Sequence, residues 1–363
     1  VGQDSLITHQ KQKYYNQTSL KNRNTHMGLF KKALVFTDIH FGMKSNSIMH
    51  NQDCENFVEW AVQQGKIHNC ETAIFMGDWH HHRASLSLQT MSHSLRALEN
   101  LSRSFDITYF ITGNHDLYYR DKRDIYSFEW AKHIPNLKIC NDWFQQDDVI
   151  LCPWLVGDDH KQIKTASAQY MFGHFELPHF KMNAMVEMPD HGEIKSEHFQ
   201  QYGTVFSGHF HLRQQKNNIN YIGNAFPHNF SDAGDDQRGC MILEWGKEPE
   251  YIAWPDQPLY KVLDLSQVID YADTILKPNM HVRVNLDIEI SYEEANYIKE
   301  QFATKYKLRE MALIPNKRSA LEEEMQPGDI KFESVDQIVT EQIINIDSEF
   351  YDNKLLLEIY RSL

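Results

Sequence analysis

The sequence lacks paired cysteines and long hydrophobic runs. None of its five cysteines forms a C-x-x-C pair, which argues against a structural zinc site and indicates a reduced, cytoplasmic compartment. No run approaches the roughly 20 apolar residues of a membrane span, so we expect no membrane segment. Residues 1–26 are polar and lack the apolar core of a signal peptide, so we predict a disordered extension there.

Positive charge is also scarce. The formal net charge is −14, and residues 246–363 hold 13 Lys and Arg against 23 Asp and Glu. Because phosphate neutralisation supplies most non-specific affinity for nucleic acids, this balance argues against a free-standing, high-affinity nucleic-acid binder. It remains compatible with an enzyme whose bound cations and partner subunit meet the phosphates.

What the sequence does have is one form that occurs five times. In each case an apolar, strand-like run stops abruptly at side chains that can bind a metal ion. The five stretches are residues 35–40, 74–78, 107–116, 170–174 and 205–211. A single strand-end Asp or His is usually only a cap or a hydrogen-bonded polar group, but five such stretches in one chain indicate a shared site.

The order of the elements predicts the fold class. The first three strands alternate with helical stretches, which predicts parallel strands joined by crossovers. In such sheets functional groups gather beyond the carboxyl ends of the strands, where Asp38, Asp78 and Asn114 fall. Residues 125–133 are predicted to be helical, and Pro135 ends that stretch. Strands dominate after about residue 149, so we predict a layered α/β/β/α sandwich of two sheets with outer helices.

The length of 363 residues and the 41% hydrophobic content allow a large core and more than one domain. Pro255 and Pro258 mark one boundary, and an acidic stretch ending in Pro-Gly marks another. The predicted segments are the extension (1–26), a main domain (27–257), a small α/β capping domain (258–316), an acidic linker (317–332) and a helical, partner-binding segment (333–363).

The side chains at the strand ends are typical of a dinuclear hydrolase. In such sites a bridging carboxylate holds two cations about 3.5–4 Å apart, while imidazoles and an amide oxygen complete the coordination. Mixed oxygen and nitrogen ligands suit Mn²⁺, iron or Zn²⁺. The candidate ligands are Asp38, His40, Asp78, Asn114, His174, His209 and His211.

These motifs resemble, in order and spacing, those of the calcineurin-like metallophosphoesterases. The matching motifs are Asp38-x-His40-x-Gly42, Gly77-Asp78, Gly113-Asn114-His115-Asp116, Gly173-His174 and Gly208-His209-x-His211. The form Asp-Ile-His-Phe-Gly is most similar to the SbcD-type nucleases of DNA repair. Within that branch the chain is closest to the phage recombination endonuclease subunits, and the specific matches cover about residues 34–254.

The resemblance implies a role for each candidate residue. One metal ion would be held by Asp38, His40 and His211. The other would be held by Asn114, His174 and His209, and Asp78 would bridge the two ions. His115 would be the catalytic histidine that is not a ligand, and Asp116 would orient it. The implied cofactors are two divalent cations, Mn²⁺ in the first place with Mg²⁺ as the alternative.

The resemblance also implies a function. It is that of a metal-dependent DNA nuclease, an exonuclease on duplex ends and an endonuclease on single strands, in DNA recombination, repair and replication. The implied partners are DNA, a second copy of the chain and an SbcC-type coiled-coil ATPase. The helical segment would bind that ATPase through Ile343, Ile344, Leu355 and Leu356, in the cytoplasm of the host if the chain is phage-encoded.

Two other functions stay open at this point. The first is another phosphoesterase of the same fold, a protein phosphatase or a cyclic-nucleotide phosphodiesterase. Residues 79–83 and Asp116 depart from the phosphatase forms, which usually continue Gly-Asp into x-x-Asp-Arg-Gly and use Gly-Asn-His-Glu. The second is a DNA-end tether with a decayed site, which the complete ligand set opposes. We expect the three successive histidines at 80–82 either to lie in a solvated loop or to contact the metal ligands without binding a metal ion themselves.

Overall fold

The computed structural model describes residues 28–182, 186–192, 194–315, 355–357 and 360. Its strands form two six-stranded sheets and one three-stranded sheet, with helices packed outside them. The predicted layered α/β fold is confirmed. No helix in the described ranges has the length and apolar character needed to cross a membrane.

The described part of the chain contains fifteen strands, numbered in chain order. They are β1 (Lys32–Phe36), β2 (Thr72–Phe75), β3 (Ile107–Ile111), β4 (Leu137–Cys140), β5 (Phe144–Gln146), β6 (Val149–Cys152), β7 (Tyr170–His174), β8 (Thr204–Gly208), β9 (Gln214–Lys216), β10 (Ile219–Tyr221), β11 (Gly239–Glu244), β12 (Glu250–Ala253), β13 (Leu259–Asp264), β14 (Met280–Leu286) and β15 (Glu310–Pro315).

Six helices lie between these strands. They are α1 (Met43–Asn46), α2 (Ile48–Ile67), α3 (Leu88–Ser104), α4 (His160–Ile163), α5 (Leu265–Ile275) and α6 (Tyr292–Lys305). Ser47 caps the start of α2 by accepting a hydrogen bond from the His50 N–H, and Ser87 caps α3 through the Thr90 N–H. Such caps satisfy backbone donors that have no partner inside the helix.

The first sheet has the strand order β12-β11-β1-β2-β3-β4. Strands β1 to β4 are parallel, which the alternation of strands and helices predicted for the first three, and β11 runs antiparallel to β1. One face of this sheet packs on α2 and α3, where Phe36 and Phe75 meet Phe57 and Leu98 in one buried cluster. The crossover helices therefore fix the carboxyl ends of β1, β2 and β3 at the same edge.

The second sheet has the order β5-β6-β7-β8-β10-β9, with β6, β7, β8 and β10 parallel. Its inner face packs against the first sheet. Val35 and Ile74 from one side meet Leu151, Phe172 and Phe206 from the other in a buried cluster. This apolar layer holds the ends of β7 and β8 opposite those of β1 to β3.

The outer face of the second sheet differs from the predicted helical layer. In the described ranges it is covered by the one-turn helix α4, a 3₁₀ turn at Ser196–Phe199 and loop side chains such as Phe175 and Phe180. The helix expected over residues 125–133 is reduced to a 3₁₀ turn at Glu129–His133. Residues 117–126 instead turn back on themselves, with the Tyr118 N–H donating to the Ile125 carbonyl.

The third sheet has the order β13-β14-β15 and a core of its own. Val282 and Val284 of β14 pack with Leu265 and Val268 of α5. This part also touches the main sandwich, because the Arg309 guanidinium donates two hydrogen bonds, of 2.5 and 2.7 Å, to the Asp53 carboxylate. The predicted linker lies outside the described residues, as does nearly all of the predicted partner-binding segment, of which 355–357 are helical.

Candidate metal centre

The predicted ligands meet at one edge of the sandwich. Asp38 and His40 follow β1, Asp78 follows β2 and Asn114 follows β3, while His174 ends β7 and His209 and His211 follow β8. Asp38, Asp78 and His174 are completely or almost completely buried, whereas Asn114, His209 and His211 are partly exposed. Residues up to 173 positions apart in the sequence, such as Asp38 and His211, thus share one site because the parallel strands of both sheets end at this edge.

The backbone at four of these seven positions is in the left-handed region. The φ angles of Asp38, His40, Asp78 and His209 are 51°, 56°, 62° and 84°. Residues other than glycine rarely adopt this conformation, and such residues concentrate at functional sites whose surroundings hold them in place.

Glycines allow the strand ends to approach the carboxylates. A Cβ atom at Gly113 would lie 2.2 Å from Asp78 Oδ1, and a Cβ atom at Gly208 would lie 2.8 Å from Asp38 Oδ2. Both distances are far below van der Waals contact. Any side chain at either position would displace a candidate ligand.

One ligand group surrounds Asn114. The Asn114 Oδ1 atom lies 3.1 Å from His174 Nε2 and 3.1 Å from His209 Nδ1. His174 Nε2 also lies 3.3 Å from Asp78 Oδ2. The second nitrogen of His174 donates to the Met76 carbonyl over 2.8 Å, which fixes the ring with Nε2 toward the site.

The second ligand group surrounds Asp38. His40 Nε2 lies 3.8 Å from Asp38 Oδ1, and His211 Nε2 lies 3.8 Å from the same oxygen. His40 Nε2 is also 3.6 Å from Asp78 Oδ2. The same oxygen of Asp78 therefore faces His174 of the first group and His40 of the second, which is the position a bridging carboxylate requires.

The charges of the site favour a cation. Burial disfavours a charged His174, but the Asp78 and Asp38 carboxylates outweigh it and raise the pKa of this imidazole to about 9. Burial would raise the pKa of Asp78, yet His174 and His40 hold it well below its usual range. The buried carboxylates thus draw positive charge into the site, which a proton on His174 supplies when no metal ion is bound.

Two divalent cations fit the residues present. His40 Nε2 is buried and has no hydrogen-bond partner among the described residues, although it faces two carboxylates. Ligand atoms of Asp38, His40 and Asp78 lie within 4.8 Å of one another, and the same holds for Asp78, His174 and His209. Each group combines carboxylate oxygen with imidazole nitrogen, which suits Mn²⁺, iron or Zn²⁺.

His115 and Asp116 do not form the expected pair. The His115 Nδ1 atom lies 2.8 Å from the His81 carbonyl oxygen, and its backbone N–H donates to Asp78 Oδ1 over 2.8 Å. Because a carbonyl oxygen only accepts, Nδ1 carries the proton and Nε2 is left for a substrate. The His81 carbonyl, not the Asp116 carboxylate, orients this ring.

Asp116 has a structural role instead. Its buried carboxylate accepts hydrogen bonds from the backbone N–H groups of Asp78 at 2.8 Å, Trp79 at 2.9 Å, His80 at 3.1 Å and Gly113 at 2.9 Å. Burial and the nearby Asp78 carboxylate raise the pKa of Asp116 to about 7, while these donors oppose the rise. Asp116 thereby clamps the loop after β2, and with it Asp78, to the loop after β3.

The three successive histidines occupy different places. His80 is buried and bonded to Ser127 Oγ at 2.7 Å and Ser94 Oγ at 2.9 Å, so it belongs to the core rather than to a solvated loop. His81 stacks on His115 at a centroid distance of 5.1 Å, and its Nδ1 lies 3.4 Å from His40 Nδ1. His81 therefore borders the ligands, as one of the two sequence interpretations expected.

Two further residues at the site were not predicted. Glu176 Oε1 lies 3.3 Å from His209 Nε2, just beyond the end of β7. His228 is fully buried and offers a ligand atom within 4.8 Å of those of His40 and His211. His228 lies in a loop and does not follow a strand directly, so the strand-end pattern could not reveal it.

The fold is a two-sheet α/β sandwich with Asp, Asn and His at the strand ends, and the site can hold two divalent cations. Searches against protein-family models find no match for the chain. Among curated proteins, it is 26% identical over 336 residues to Exonuclease subunit 1 of Enterobacteria phage T4, covering 89% of this chain and 94% of that protein. The predicted relationship to a phage nuclease subunit is confirmed.

Solved structures give two weaker similarities. The phosphoesterase Yfce from E. coli matches with a TM-score of 0.33 at 13% identity, over 62% of this chain and 94% of that one. The nuclease MPE of Pseudomonas putida matches with a TM-score of 0.26 at 17% identity, over 49% and 61%. Scores this low carry no argument about function.

The position of Asp78 generates a first prediction. Asp78→Ala should abolish hydrolysis and lower the occupancy of both metal ions, because a single carboxylate oxygen faces both ligand groups. Elemental analysis and titration with Mn²⁺ measure the occupancy. Two metal ions per chain in the purified variant would contradict the bridging assignment.

The position of Asp116 generates a second prediction. Asp116→Ala should lower the free energy of unfolding by about 3 kcal/mol or more, since four buried backbone donors lose a charged acceptor. Urea unfolding of the metal-free protein checks it. His115→Asn serves as the matched control, and equal stability of the two variants would show that Asp116 does not hold the loops.

Proposed function

We propose that this chain is a metal-dependent nuclease that hydrolyses DNA phosphodiesters. The observation that carries the proposal is the placement of Asp78 between two ligand groups, each of which combines carboxylate and imidazole. The similarity over most of both chains to an exonuclease subunit supports DNA as the substrate. A complete set of candidate ligands argues against a non-catalytic tether.

Each ligand group would hold one cation. One cation would be held by Asp38, His40 and His211. The other would be held by Asn114, His174 and His209, and the Asp78 carboxylate would be a ligand of both. The cations would supply a nucleophile near neutral pH and neutralise charge that develops on the phosphate oxygens. We propose Mn²⁺ as the physiological ion, since the nitrogen ligands favour it over Mg²⁺.

His115 acts on the substrate and not on the metal ions. The His81 carbonyl holds its Nδ1–H, and the ring packs edge-on against His40 at a centroid distance of 4.9 Å. Its Nε2 is therefore held beside the ligands, where a protonated ring can donate to a phosphate oxygen or to the leaving oxygen. This is the role of a general acid or an electrostatic donor.

An exposed loop beside His115 offers a surface for DNA. Tyr118 and Tyr119 are 47% and 39% exposed, and Arg120 and Lys122 are exposed next to them. Exposed aromatic rings with neighbouring cations suit stacking on unpaired bases and contact with phosphates. Arg123 is excluded from this surface, because it donates to Asp159 Oδ2 and to the Trp154 carbonyl.

The proposal is tested by cleavage assays on labelled linear duplex and single-stranded DNA. We expect cleavage with Mn²⁺, weaker cleavage with Mg²⁺ and none in a chelator. A phosphopeptide and a cyclic nucleotide serve as controls for the other phosphoesterase functions. Hydrolysis of either control in preference to DNA would overturn the nuclease proposal.

For His115→Asn we expect cleavage slowed by about 10²–10⁴-fold, the range for losing a general acid or an electrostatic donor. Metal binding and DNA binding should stay intact, because neither ligand group includes this side chain. Single-turnover cleavage and Mn²⁺ titration measure the two effects separately. Loss of a metal ion in the variant would make His115 a ligand instead.

We further propose that the segment 333–363 binds an SbcC-type coiled-coil ATPase, and that the nuclease pairs with a second copy in the host cytoplasm. The apolar residues of this segment recur at helical spacing after an acidic Pro-Gly linker, as a groove-bound helix requires. The ATPase would also supply the basic surface for DNA that this acidic chain lacks.

Truncation after Gly328 should therefore leave metal binding and slow cleavage of short DNA intact. It should abolish co-purification with the ATPase and ATP-stimulated processing of long duplexes. Pull-down of the two chains, with the full-length protein alongside, measures the association. A truncated chain that still co-purifies at full stoichiometry would contradict the partner proposal.

A further inference from the structure

His228 is buried, and its imidazole makes no hydrogen bond to the described residues. It lies between β10 and a 3₁₀ turn at Phe230–Asp232, and its side chain is completely enclosed. Neither Nδ1 nor Nε2 has a hydrogen-bond partner in the part of the chain that the structure describes. Buried polar atoms are almost always paired, so two unpaired nitrogens on one ring require an explanation.

The ring is directed at one ligand group. Its centroid lies 5.4 Å from that of His40 and 5.3 Å from that of His211, at angles of 88° in both cases. One nitrogen from each of the three rings lies within 4.8 Å of the others. The His228 backbone is also fixed, because its N–H donates to Asp232 Oδ2 over 2.8 Å.

Simple packing explains only part of this arrangement. The other neighbours of His228 are Phe226, at a centroid distance of 5.0 Å, and His50, at 5.5 Å. These contacts would equally suit an apolar side chain. They do not account for an imidazole whose two nitrogens are both enclosed, next to two candidate ligands.

We propose that His228 is an additional ligand for the cation held by Asp38, His40 and His211, an inference that rests on the proposed function. This ligand group then has three imidazoles and one carboxylate besides the shared Asp78, and such nitrogen-rich coordination selects a transition metal over Mg²⁺. The group of Asn114, His174 and His209 keeps an amide oxygen beside its two imidazoles. The two positions would therefore differ in metal preference.

The test is titration of the metal-free protein with Co²⁺, followed by its visible absorption and by equilibrium dialysis. His228→Leu should weaken one of the two Co²⁺ sites by at least about tenfold and change its spectrum, while Mg²⁺ binding does not change. His93→Leu is the matched control: His93 is another buried histidine, bonded to Glu55 Oε2 at 2.6 Å and away from the ligands.

Thermal unfolding of the metal-free proteins separates a ligand from a packing residue. Metal-free His228→Leu should be at least as stable as the unsubstituted chain, since it removes two unpaired buried nitrogens, yet Co²⁺ should stabilise it less. Unchanged Co²⁺ affinity and spectrum at both sites would overturn the proposal.

If His228→Leu fails to fold, His228→Cys decides the matter. A thiolate ligand should add a charge-transfer band to the Co²⁺ spectrum in the near ultraviolet, with the unsubstituted chain as the blank, and absence of that band would overturn the proposal. DNA cleavage is not a readout here. A chain that binds two Co²⁺ ions but cleaves no DNA would refute the nuclease and leave the His228 assignment standing.

Discussion

The shared carboxylate of Asp78 is the interaction on which the site depends. It is buried, and one of its oxygens faces a histidine from each ligand group. A buried anion in this position is costly unless opposite charge compensates it. His174 compensates the negative charge of Asp78. The backbone N–H of His115 and the hydrogen bonds of Asp116 fix the position of the Asp78 carboxylate. Because Asp116 ties the loops after β2 and β3 together, a carboxylate outside both ligand groups helps to fix the position of Asp78.

The packing of the two sheets brings the candidate ligands together. The parallel strands of the two sheets, packed through one apolar layer, end at the same edge, so short loops from five strands converge there. Glycines at the strand ends permit contacts that a Cβ atom would block. The left-handed residues Asp38, His40 and Asp78 are buried, which keeps the strained turns in place.

The sequence permitted much of this to be predicted. The parallel order of β1 to β3 followed from alternating strands and helices, and the seven candidate ligands followed from polar residues placed directly after apolar runs. Those features are local, so periodicity and adjacency reveal them. The prediction of a helix over residues 125–133 was wrong. The hydrogen bond between Tyr118 and Ile125 turns the chain back there, and a local sequence pattern does not reveal such a pairing.

The sequence by itself thus determined the class of fold, the inventory of metal-binding side chains and the acidic character of the C-terminal third. Only the tertiary structure decided which carbonyl orients His115 and that Asp116 accepts hydrogen bonds from backbone N–H groups. It also decided that His80 belongs to the core and that His228 and Glu176 border the ligands. The reason is physical: each of these assignments depends on distances between segments that are far apart in the chain. Side-chain type and spacing set what can bind a cation, whereas packing of the two sheets sets which of those side chains meet.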